Sequence, residues 1–171
     1  MKKGKTKWIF IGLGGVCAVL VLFLLVLDAY GTKLKRFSSE RFGYEVSFDE
    51  SRYSVETVRL DERPTYMERV VFTKNPYGNY LGVSGIDSTA DLDEILAAFQ
   101  SDESYQFDID EDVTIGKGYH ARKISYTDTS GEESVRVDYY YMADRGLLIS
   151  VVYDKDHEKE IGKILDSFKM K

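Results

Sequence analysis

The sequence predicts an α+β fold: a mostly antiparallel sheet with helices packed on it, preceded by one transmembrane helix. Three observations carry this expectation. Twenty consecutive uncharged residues, Trp8–Leu27, precede every acidic residue of the chain. Alternating apolar and polar runs, separated by turn residues, fill much of residues 43–86 and 107–153. Two apolar stripes of helical period interrupt and close those runs, so helices have a sheet to pack on.

The amino-terminal run comes first. At 1.5 Å per residue its length is about 30 Å, the thickness of a bilayer's hydrocarbon core. Trp8 and Tyr30 flank it as interfacial aromatics do. A cleaved signal peptide has a shorter apolar region of about 7–15 residues and small residues at the cut; here the nearest candidate is Leu27-Asp28-Ala29. A lipid-modified cysteine needs a small residue before it, and Val16 precedes Cys17. Lys2, Lys3, Lys5 and Lys7 favour a cytoplasmic amino terminus, against Lys33, Lys35, Arg36 and Arg41 on the other flank. Gly14 and Ala18, four apart, allow close approach of two such helices and so a weak homodimer. The expected organisation is a basic tail at 1–7, a transmembrane helix at 8–27, a tether at 28–39 and an extracytoplasmic domain at 40–171. The expected localisation is the cell membrane of a bacterial envelope, with the lipid bilayer contacted through Trp8–Leu27.

Charge narrows the partners. The chain carries a net −6, and the four tail lysines leave −10 on everything after them. Such a domain repels a phosphate backbone, which excludes nucleic acid. Cys17 is the single cysteine, so the domain has neither disulfides nor a cysteine-ligated metal.

Within the domain, Tyr44, Val46 and Phe48 alternate with polar residues and predict a half-buried strand. Tyr53 and Val55 continue the alternation after a turn at 49–51. Residues 69–73 form another strand, the Asn75-Pro-Tyr-Gly-Asn79 turn follows, and residues 80–86 return. Leu92, Ile95, Leu96 and Phe99 predict a helix, with Ser88, Thr89 and Asp91 as capping candidates. Phe107, Ile109, Val113 and Ile115 are expected on one face of the next strand. Residues 119–126 and 135–142 follow, and the apolar run 147–153 reads as a central strand covered on both faces. Ile161, Ile164, Leu165 and Phe168 stripe a closing helix.

Four segments carry a resemblance: Gly43-Tyr-Glu-Val-Ser-Phe48, the helix at 91–99, Gly118-Tyr-His-Ala-Arg-Lys-Ile-Ser-Tyr126 and Ile164-Leu-Asp-Ser-Phe168. On these, residues 40–171 resemble the PsbP-like fold family, which includes the photosystem II extrinsic subunit, a Ran-binding import factor and bacterial lipoproteins. The resemblance implies an α/β/α sandwich and a non-enzymatic role in binding or assembly. No residue here matches a manganese or Ran contact of the family.

No catalytic constellation is legible. His120 and His157 are the only histidines, and Ser84-Gly85 lacks the preceding glycine of a nucleophile elbow. Asp108, Asp110 and Asp112 copy the start of a calcium loop, but Val113 stands where that loop needs glycine and Tyr119 where it needs glutamate. On a strand they share a solvent face, making them weak divalent-cation candidates. Gly116-Lys-Gly118 reads as a tight turn, without the helix of a phosphate loop. Tyrosine is abundant, at 13 residues. Tyr139 and Tyr141 are expected inward, and Tyr140 outward; Tyr77, Tyr80 and Tyr140 are the candidate interaction surface. The expected function is a non-catalytic module without cofactor that binds an envelope protein or polymer. A small-ligand or weak divalent-cation domain is the alternative, and a hydrolase a more distant one.

Overall fold

The computed structural model describes residues 33–59, 66–76, 78–86, 89–131 and 134–171. Leu34–Lys171 forms one compact unit. Its elements in chain order are strands β1 (Leu34–Ser38), β2 (Tyr44–Asp49), β3 (Tyr53–Arg59), β4 (Tyr66–Phe72) and β5 (Tyr80–Gly85), and helix α1 (Thr89–Gln100). Strands β6 (Tyr105–Ile115), β7 (Tyr119–Asp128), β8 (Val135–Met142) and β9 (Leu147–Tyr153), helix α2 (Glu158–Asp166) and the two-residue β10 (Lys169–Met170) follow.

Seven strands form the main sheet, in the order β3-β4-β5-β9-β8-β7-β6, with every neighbouring pair antiparallel. The apolar run 147–153 is β9, at the centre of that order, and six of its seven residues are buried. Three more strands, β1-β2-β10, form a separate small sheet.

The expected α+β arrangement of helices layered on a sheet is corrected by this topology. Among the described residues the fold is mostly antiparallel β, with helices of only 12 and 9 residues. The reason lies in β1 and β2. Leu34–Ser38, within the expected tether, pairs with Glu45–Asp49 of β2 and draws that strand into a second sheet. Tyr44, Val46 and Phe48 of that sheet, with Ile161, Ile164 and Phe168, meet one face of the main sheet through Val70, Leu81, Val83, Ile149 and Val151. The α/β/α layering implied by the resemblance is therefore not formed. Phe168 seals the junction, stacked on Tyr44 (5.5 Å between centroids) and met edge-on by Tyr119 (6.1 Å).

The membrane expectations are corrected as well. Trp8–Leu27 lies outside the described residues, as do Gly14, Cys17, Ala18 and the tail lysines. Among the described residues no helix is long and apolar enough to cross a membrane. The longer one, α1, spans about 18 Å, well short of a bilayer core. The transmembrane, single-pass and cell-membrane assignments therefore have no spanning element among the described residues.

The other face of the main sheet is only partly covered by α1. Leu92 and Leu96 pack there on Ile86, Ile124, Tyr141 and Leu148. Beside them Tyr126, Val137 and Val152 form a third apolar cluster, with Tyr80, Tyr105, Phe107, Val135 and Tyr139 half-buried around it.

Candidate binding groove

A groove of about 530 Å³ opens where α1 lies beside β6 and β7. Leu96, Phe107 and Ile124 supply its apolar lining, Ile109 borders it from the edge strand β6, and Asp93, Gln100, Asp108, Asp110 and Arg122 supply its polar lining. A bulge shapes it. Phe107 pairs with Tyr126 and Ile109 with Ser125, so Asp108 is an extra residue on β6. The bulge overturns the expected shared face of Phe107, Ile109, Val113 and Ile115. In an antiparallel pair, directly opposite residues share a face. Phe107, opposite Tyr126, therefore sits with the α1 side, whereas Ile109, Val113 and Ile115, opposite Ser125, Ala121 and Tyr119, belong to the other face.

Arginines hold the acidic rim. Arg122 grips Asp110 with Nε and Nη2 (2.9 and 2.8 Å) and reaches Asp93 on α1 with Nη1 (3.3 Å). This contact holds the Asp110 carboxyl below the usual carboxylate range. Arg136 takes Asp108. Asp112 is exposed, opposite Arg122 in register. Asp108 and Asp110 thus face two different guanidinium groups and do not converge on one point. Among the described residues no group of three or more histidine, cysteine, aspartate or glutamate side chains is placed to hold a metal.

An aromatic belt adjoins the groove through Phe107. Phe107 and Tyr105 lie 5.2 and 5.5 Å from Tyr126, Tyr139 lies 5.8 Å beyond it, and the Tyr126 and Tyr139 hydroxyls are 3.3 Å apart. Tyr80 continues the belt toward β4, where the Arg69 guanidinium lies 5.0 Å from its ring centroid. Burial pushes the Tyr80 phenol up to about 12. Burial also raises Tyr126, with Tyr139 adding to the effect.

No protein-family model and no curated protein matches the chain. The assignment of a site therefore rests on this geometry.

The structure distributes the sequence's candidates unevenly. Asp108 and Asp110 line the groove, and Tyr80 sits half-buried in the belt. Tyr77 lies outside the described residues. Tyr140, expected outward, is only 7% exposed, because the face it takes is the main core and not solvent. His120 is exposed on β7 opposite Thr114. Ser84 is fully buried and donates to the Leu148 carbonyl (3.4 Å). His157 Nδ1 meets Asp154 Oδ1 (2.7 Å), and Asn79 Nδ2 donates to the other Asp154 oxygen (2.8 Å). That cluster fastens the β9–α2 turn to the start of β5.

Sequence reasoning missed one polar network. Asp138, 3% exposed, accepts from Ser125 Oγ (2.6 Å), Tyr153 OH (3.0 Å) and Tyr140 OH (3.4 Å), and pairs with Lys123 and Arg136 at 3.3 Å each. The available signal was the alternation of Arg136, Asp138 and Tyr140 opposite the apolar face of the same strand. A buried carboxylate on that pattern requires partners from neighbouring strands.

Proposed function

We propose that this domain is a non-catalytic binding module that receives a partner protein or polymer in the groove between α1 and β6–β7. The carrying observation is the groove itself: an apolar lining set against a charged rim whose ion pairs hold its walls in place. Its volume falls in the range of small-molecule clefts, about 300–1,000 Å³, room for one or a few side chains of a partner. The reactive groups that chemistry would need are engaged elsewhere. Asp138 is satisfied by five side chains, and the Asp154–His157 pair serves a turn. A small-ligand carrier is the second reading, and the same volume favours it.

Blocking the groove tests both. Gln100 is an exposed lining residue, so Gln100→Trp places a ring across the opening with little effect on folding. Tagged wild-type chain purified at native expression should retain a partner or a bound small molecule that Gln100→Trp loses. Native mass spectrometry identifies which. Equal retention by the two chains contradicts the assignment.

A further inference from the structure

The two edges of the seven-stranded sheet differ in a way that points to a second site, independent of the groove. Edge strands expose unpaired N–H and C=O groups, and proteins guard them with bulges and inward or clustered charges. At one edge, β6 is guarded: it is bulged at Asp108 and carries Asp110, Glu111 and Asp112 in succession. At the other, β3 pairs without a register shift along all seven residues, Tyr53↔Phe72 through Arg59↔Tyr66. Among the described residues β4 is its only strand partner.

The direction of its free groups can be read from its neighbours. Thr73 N donates to Arg52 O, which makes that pair hydrogen-bonded, and Phe72 N is turned to Asn79 O on the far side of β4. Hydrogen-bonded and non-hydrogen-bonded pairs alternate along an antiparallel ladder. Ser54, Glu56 and Val58 therefore bond β4, and Tyr53, Val55, Thr57 and Arg59 direct their N–H and C=O groups outward. Tyr53 and Val55 also belong to the main core cluster, so the apolar layer runs up to this edge.

We infer that β3 is a strand-addition site for an extended segment of a partner protein in which apolar residues alternate with basic ones. The main-chain groups supply the ladder, as in other cases of β-augmentation. Apolar residues of the incoming strand extend the core beside Tyr53 and Val55. Basic residues on its other face meet the field of a domain of net −10, Glu56 on that face being already paired with Arg69. A second copy of this chain fits less well, because two bodies of net −10 repel.

The experiment is hydrogen–deuterium exchange on the purified full chain with a ten-residue peptide alternating valine and lysine. Exchange across Tyr53–Arg59 should slow by roughly tenfold or more as edge amides enter a ladder. Thr57→Pro removes an outward N–H without breaking a bond to β4 and should abolish the effect. A peptide N-methylated at every second residue, in the phase that faces the chain, should fail against wild type, a control independent of the variant's folding. An alternating valine–glutamate peptide should protect at least tenfold less. Absence of protection at 53–59, protection at the β6 edge instead, or protection that rises with chain concentration without peptide would each overturn the inference.

Discussion

Arg122 on β7 clamps Asp110 on β6 through two near-parallel hydrogen bonds of 2.9 and 2.8 Å and extends its remaining nitrogen to Asp93 on α1. One side chain thus ties helix to sheet along the wall of the groove. Ion pairs this exposed contribute little to global stability, about 0.2–1 kcal/mol. Their effect here is local. Arg122→Gln should lower the unfolding free energy by less than about 1 kcal/mol while speeding amide exchange in α1. Exchange in β8 and β9 should stay unchanged. Denaturant titration and segment-resolved exchange together check this.

Asp138 should behave in the opposite way. It is buried against two cations and three hydroxyls, so removing it leaves Lys123 uncompensated and Arg136 with Asp108 alone. Asp138→Ala should cost about 3–5 kcal/mol, the range for breaking a buried ion pair by deleting one partner. Urea unfolding is the measurement; a loss under about 1 kcal/mol would place the network among ordinary surface pairs.

Two glycines in the β6–β7 turn separate strain from collision. Both have positive φ, +53° at Gly116 and +103° at Gly118. A Cβ at Gly116 would lie 2.3 Å from the Phe168 carbonyl oxygen, whereas at Gly118 nothing stands within 4 Å. Gly118→Ala should cost the backbone strain alone, about 1–2 kcal/mol. Gly116→Ala should cost about 2–4 kcal/mol, because it also displaces the Phe168 junction. Thermal melts of the pair order them.

Stability should fall at both ends of the pH scale. Burial raises the Asp154 carboxyl, but hydrogen bonds from Asn79 and His157 outweigh this and leave it below its ordinary value. The stability it supplies is complete above about 4 and is lost as pH drops through the depressed folded value. Asp154→Asn should flatten that acid limb. Tyr80 acts at the other end: with its phenol raised to about 12, its contribution is complete below about 10 and is lost as pH climbs through 12. Absorbance titration at alkaline pH should show a late-ionising class that Tyr80→Phe reduces.

Much of the sheet was legible because period-2 alternation records which side of a strand is wet. Tyr44, Val46 and Phe48 are legible for that reason, and β9 shows its central position by being apolar almost throughout. Three features left no such record. Leu34–Ser38 shows no alternation and its Leu34 is 72% exposed; β2 alone makes it a strand. The bulge at Asp108 keeps the alternation in the sequence while reversing the face, and only the pairing with β7 reveals it. Alternation misplaces Tyr140 because it says that two faces differ, not that one of them is wet. The groove inherits these gaps, since it depends on the bulge and on where α1 settles.

The most direct test of the groove assignment is site-specific photocrosslinking at native expression, with the reactive residue at Gln100 on the rim or at Lys117 on the β6–β7 turn. The account predicts a discrete adduct from Gln100 and none from Lys117. Equal adducts from both positions, or an adduct from Lys117 alone, would contradict it.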